Sequence, residues 1–139
     1  MRLSLARMSV LSLALVATAL SGCSDDEVLA PGTSVAGTWN ATSFTALGSD
    51  FIDEGMGLSV ALTSGGSYTF TATNDLVGIC GDDGPDCTDT GSYSSTASTL
   101  TLDAGTADAV TFNYSIQGNT MTWSGSIDST PATITWTKQ

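Results

Sequence analysis

The chain has 139 residues, 14 acidic side chains, 3 basic ones and no histidine, with a net charge of −11. That length fits one domain, and the missing histidine excludes imidazole bases, His-dependent triads and His metal ligands. Arg2 and Arg7 lie at the N-terminus and Lys138 is the only cation past residue 22, so the chain lacks the basic groups that nucleic-acid binding or anion clamping requires.

Arg2 and Arg7 begin a three-part leader. Residues 8–20 are uncharged and mostly apolar, and small residues follow. The apolar run is shorter than the ~20 helical residues that span a bilayer. This layout predicts a signal peptide over residues 1–22, outside the folded domain. Its end, Leu20-Ser21-Gly22-Cys23, resembles the lipobox of bacterial lipoproteins. The resemblance implies cleavage before Cys23, with lipid (palmitate among the acyl chains) on its sulfur and amine. Two or more chains anchor a protein stably. Ser24 is not the Asp associated with inner-membrane retention, so the expected address is the outer membrane, facing the periplasm. Residues 23–33 then form a polar tether containing Pro31-Gly32.

Residues 34–139 alternate with period two. Leu58, Val60 and Leu62 share one parity; so do Tyr68, Phe70 and Ala72, and Leu100 and Leu102. The same holds for Val110, Phe112, Tyr114 and Ile116, for Met121, Trp123, Gly125 and Ile127, and for Ile134 and Trp136. Ser and Thr fill most of the alternate positions. Period two is the strand signature, and no stretch past the leader follows a helical period. Turn residues separate eight predicted strands, at about 34–45, 57–63, 67–74, 89–96, 99–104, 109–117, 120–128 and 132–138. Short connections favour antiparallel neighbours. One apolar face over eight strands is best buried by closing the sheet, which also removes its edges. The expected fold is therefore all-β, an eight-stranded antiparallel up-and-down barrel, with a two-sheet sandwich as the alternative. A membrane-spanning barrel would need longer strands and an apolar outer face.

With Cys23 assigned to lipid, Cys80 and Cys87 remain, flanking the loop GDDGPD. In an oxidising compartment they are expected to form a disulfide. Asp82, Asp83, Asp86 and Asp89 crowd the same segment. They are a weak Ca²⁺ candidate, set against the simpler reading of a solvated acidic loop. The first long connection, residues 44–57, carries Phe51, Ile52 and Met56. It either tucks into the core edge, which we favour, or serves as a lid. Tyr68, Phe70, Tyr93, Phe112, Tyr114 and Trp123 point inward and either fill the barrel or line a ligand cavity.

Gly37-Thr38-Trp39 at the first strand resembles the Gly-x-Trp signature of lipocalins, in which the Trp packs across the closed end of the barrel. The segments Gly65-Gly66-Ser67-Tyr68-Thr69-Phe70, Gly91-Ser92-Tyr93 and Gly118-Asn119-Thr120-Met121-Thr122 resemble small bacterial lipocalin-like lipoproteins. Many lipocalins pack a C-terminal Arg on that Trp; here the available cation is Lys138. Gly-Thr-Trp also opens avidin-like barrels, but the polar biotin-pocket set has no match. Small periplasmic protease inhibitors with one disulfide are a further barrel type.

The resemblance implies a membrane-anchored protein that binds a small, apolar, neutral or cationic ligand. The alternative is a filled barrel that contacts an envelope protein. No cofactor and no enzymatic activity are expected. Ser and Thr have no base to activate them. Asp53 and Glu54 adjoin, and neighbours on an extended segment point apart.

Overall fold

The computed structural model describes residues 34–139; the leader, Cys23 and the tether through residue 33 lie outside the described residues. The described chain folds as nine strands: β1 (Gly37–Ala46), β2 (Ser49–Asp50), β3 (Gly57–Leu62), β4 (Ser67–Thr73), β5 (Cys87–Ser95), β6 (Thr99–Leu102), β7 (Val110–Gln117), β8 (Thr120–Ile127) and β9 (Thr130–Lys138). One 3₁₀ turn, Gly81–Asp83, precedes β5. Every pairing is antiparallel: β1 pairs with β3, each strand from β3 to β9 pairs with the next in sequence, and β1 also pairs with β9, which closes the sheet. The two-residue β2 folds back on the end of β1. The barrel proper has the eight strands expected, and a closed single sheet replaces the sandwich alternative.

The inner face is the predicted one. Leu58, Val60, Leu62, Tyr68, Ala72, Leu100, Phe112, Met121, Trp123, Ile134 and Trp136 are all buried. Thr and Ser face outward, where hydroxyl pairs such as Thr101–Thr111 bridge strands. Burying the apolar parity of every strand on one axis removes it from water, at about 1.5–3 kcal/mol for each large side chain.

Three local features depart from the predicted pattern. In β1 the register to β9 shifts between Ala41 and Ser43. This bulge moves the inward parity from Trp39 and Ala41 to Phe44 and Ala46, because one extra residue reverses the alternation. Second, the turn between β8 and β9 is tighter than the expected strand ends at 128 and 132 imply. Asp128 and Ser129 both adopt positive φ (48° and 67°), the conformation of a two-residue hairpin turn. Strand β9 therefore starts at Thr130 and includes Pro131, opposite Ser126. Third, β5 begins at Cys87, two residues before the expected start, so Cys87 and Thr88 join the ladder opposite Ala72 and Thr71, ahead of Asp89 opposite Phe70.

The two barrel ends differ. One carries the short turns after β3, β5 and β7, together with both ends of the domain. Here Trp39 is wholly buried, its indole N–H donates to Val35 O at 2.8 Å, and Lys138 Nζ stands 5.1 Å from its ring centroid. Gly37 makes the arrangement possible, because a Cβ there would lie 2.7 Å from Lys138 Cε. The other end carries the three long loops, residues 47–56, 74–86 and 103–109.

Candidate functional site

The interior is divided. Toward the closed end it is packed solid by Trp39, Val60, Leu62, Leu100, Met121 and Trp136, none more than 3% exposed. Toward the long-loop end a cavity of about 240 Å³ remains. Phe70, Val110, Phe112, Trp123 and Ile134 form its apolar wall, Ile79 reaches it from the loop before β5, and Tyr68, Asp89, Asp103 and Asp108 add polar groups. The aromatic wall is one stack. Phe112 lies on Trp123 with centroids 5.2 Å apart, Trp123 meets Trp136 at 4.9 Å, and Phe70 meets Trp136 edge-on at 6.4 Å. Neither Trp123 nor Trp136 has a partner for its buried indole N–H.

The position of the cavity follows from strand length. Strand β6 has four residues and pairs with β5 only at Tyr93, Ser94 and Ser95. The first half of β5 thus has no ladder partner on that side, apart from Asp103 N–H donating to Ser92 O. Asp89, Leu102 and Asp103 border this gap, and with Asp108 from the following loop they line the cavity. A larger depression, of about 630 Å³, lies on the outer side around Thr45, Ser124 and Pro131. It is bordered by outward hydroxyls and turn residues and has none of the aromatic wall.

Tyr68 organises the polar side. Its hydroxyl is 2.7 Å from Asp103 Oδ2 and 3.1 Å from Asp89 Oδ2. Burial first, and then hydrogen bonding to Asp103 and Asp89, hold its proton well above the ordinary tyrosine value of 10.0. Burial also raises Tyr93 and Tyr114, whose hydroxyls donate to Thr63 O and Thr96 O. All three keep their protons in the fold at pH values where an unfolded chain loses them. Stability should therefore fall as pH rises from 10 upward. Alkaline unfolding followed by circular dichroism checks this, and Tyr68→Phe should flatten the decline.

Asp50 gives the opposite limb. Ser43 Oγ donates to it at 2.6 Å and the Phe44 and Ile52 N–H groups at 3.0 Å, and these bonds hold its carboxyl below the usual 3.8. Its contribution is present above that value and is lost as pH falls through the lowered one.

Gly91 sits opposite Tyr68 in the ladder, and the Tyr68 ring and the Asp103 carboxylate occupy the space above it. A Cβ there would meet Asp103 Oδ1 and lie 2.7 Å from Tyr68 Cε1. Gly91→Ala should displace both groups and cost about 1–3 kcal/mol, as overpacking does, read from the denaturation midpoint.

Of the residues singled out in the sequence, Tyr68, Phe70, Phe112 and Trp123 border the cavity. Tyr93 and Tyr114 do not; their hydroxyls tie down the turns at the closed end. The lid reading of the first long loop is corrected. Phe51 and Met56 are buried in the core, Phe51 packs on Phe44 at 5.6 Å, and Ile52 is half-buried against them. Asp50 pins that loop down by accepting from Ser43, Phe44 and Ile52, so Phe51, Ile52 and Met56 are held in or against the core and not over the mouth. Ile79 from the second loop reaches the cavity instead, next to the Cys80–Cys87 disulfide.

The weak calcium candidate is likewise not assembled. Asp86 accepts the Asn74 N–H, Asp89 accepts Tyr68 and Thr90, and Asp82 and Asp83 lie in the 3₁₀ turn. Among the described residues no three His, Cys, Asp or Glu side chains converge as a metal site. Sequence reasoning missed Asp103 and Asp108 altogether. Their signal was two acids within one short turn between inward-facing strands.

A closed eight-stranded barrel, solid at one end and hollow at the other, has room for at most one small molecule. The family model of the lipocalin-like domain matches residues 35–123, and the chain belongs to that family. No curated protein and no solved structure matches the chain.

Proposed function

We propose that this protein is a lipid-anchored, non-catalytic lipocalin-like protein of the cell envelope that binds a small, largely apolar molecule in its open end. The cavity carries this reading. It has an aromatic and aliphatic wall, a few polar groups on one side, and an opening at the short strand β6. Such a combination of apolar lining and sparse polar anchors is the usual build of a ligand site. At about 240 Å³ it suits a molecule smaller than a typical drug. Binding of 1-octanol should produce a saturable change in tryptophan fluorescence, because Trp123 is in the wall. Val110→Phe, which fills the cavity, should abolish that change while leaving the circular dichroism spectrum intact. Octanol titrations that leave the fluorescence flat would reject the reading.

The lipobox at Cys23 supports anchoring, and Ser24 supports an outer-membrane address facing the periplasm. Residue 34 is at the closed end, so attachment through the preceding tether leaves the mouth unobstructed. Globomycin, or Cys23→Ser, should yield an unprocessed chain; unchanged processing and fractionation would reject anchoring.

A second reading, contact with an envelope protein, draws on Leu47 and Leu76. They are 82% and 44% exposed, on neighbouring loops of the open end. Crosslinking from Leu47 to one specific envelope protein, with octanol silent, would favour it.

A further inference from the structure

We infer that Ile79 is a fixed partition that divides the open end into two hollows and restricts the larger one to short apolar molecules, such as unbranched alcohols or single rings. The inference rests on the ligand-binding reading above and adds the size class of the ligand and the residue that enforces it.

Beside the cavity of about 240 Å³ lies a second hollow of about 110 Å³. Its base is Phe44, Ala46 and Ala132, buried inward-facing residues of β1 and β9, and the exposed Leu47 lies at its rim. Both hollows therefore belong to the open end of the same barrel. Ile79 and Ile127 border both of them. Each is half-buried and packs on the core. Ile127 ends β8 and is part of the barrel wall, whereas Ile79 enters from the loop between β4 and β5. The Ile79 side chain is thus the piece of the boundary that the barrel itself does not supply.

Ile79 is also held from both sides. The Asp75 carboxylate accepts the Val77 and Gly78 N–H groups at 3.0 Å and the Cys80 N–H at 2.7 Å. The Asp75 N–H donates across the loop to Pro85 O at 2.7 Å, and Cys80 is bonded to Cys87 on β5. A loop tied in this way presents its side chain as a wall, and the ligand must fit the space that wall leaves.

The volumes set the limit. At ~30 Å³ for each non-hydrogen atom, the share of a water in its liquid, the larger hollow takes about eight atoms and the smaller about four more. Neither hollow alone reaches the ~300 Å³ at which sites for drug-sized ligands begin, and joined they pass it. Each methylene that leaves water strengthens binding about fourfold. That gain ends where the chain meets Ile79.

The test uses the full-length chain with 1-hexanol, 1-octanol, 1-decanol and 1-dodecanol, followed by Trp fluorescence. Affinity should rise about fourfold per methylene up to 1-octanol and then level off, with 1-dodecanol within about threefold of 1-octanol. In Ile79→Ala the rise should continue, so that 1-dodecanol binds about tenfold or more tighter than 1-octanol. Ile127→Ala, at the other shared border, should move the break in the same direction, and it serves alone should Ile79→Ala fail to fold. Adding Ala132→Leu to Ile79→Ala fills the smaller hollow and should return the break to 1-octanol. A wild-type affinity that climbs steadily to 1-dodecanol, or a break unmoved in both alanine variants, overturns the partition and leaves the ligand-binding reading standing. A break that stays long after Ala132→Leu places the added length elsewhere and also overturns it. If no alcohol binds the wild type, the ligand-binding reading falls and this inference with it.

Discussion

Replacing Trp136 with alanine should lower the unfolding free energy by about 3–5 kcal/mol, the range for truncating a large buried aromatic. Trp136 has no solvent exposure and packs against both Trp123 and Phe70, which line the cavity. Its indole N–H has no partner, so the cost is packing and cavity formation rather than a lost hydrogen bond. Trp136→Phe should therefore cost far less than Trp136→Ala. It keeps most of the apolar contact and removes an unpaired buried donor, which is itself unfavourable. Urea denaturation of the two variants separates these contributions. Equal losses would mean that the ring volume is not what matters there. Against a total stability of about 5–15 kcal/mol for a domain, the alanine variant should be only marginally folded.

Removing the disulfide has the next largest expected effect. Cys80 and Cys87 are bonded across seven residues of sequence, with Cys80 buried and Cys87 the first residue of β5. Closing so short a loop constrains the unfolded chain by about 2–3 kcal/mol. Cys80→Ser with Cys87→Ser should thus lower the melting temperature by roughly 10–20 °C for a domain of this size. The consequence extends to the site, because Ile79, beside Cys80, covers part of the cavity. The Asp75 carboxylate orders the same loop by accepting the Val77, Gly78 and Cys80 N–H groups. Without the disulfide, 1-octanol should dissociate faster even below the melting transition, measured by stopped-flow fluorescence. An unchanged off-rate would show that Ile79 does not close the mouth.

Strand positions and their inward faces could be read from residues 57–138 because a half-buried sheet imposes a strict alternation on its sequence. Leu58-Ser59-Val60 and Tyr114-Ser115-Ile116 carry that alternation in plain form. The signal fails at Thr42, where a bulge reverses parity in β1, and at β5, whose inner positions are Cys87, Asp89, Gly91 and Tyr93. A strand with a carboxylate and a glycine on its inner face does not look half-buried. It becomes legible only when Tyr68 is seen to fill the space above Gly91 and reach Asp89.

The sequence alone determined the all-β class, the count of barrel strands and the pairing of Cys80 with Cys87. Each of these is written in local patterning, spacing or composition. Tertiary structure alone decided that the barrel is solid at one end and hollow at the other, and that Asp89, Asp103 and Asp108 meet at one mouth. Those outcomes depend on how far β6 extends and on side chains brought together from β4, β5, β7 and β8. Such contacts are long-range, and no window of neighbouring residues carries them.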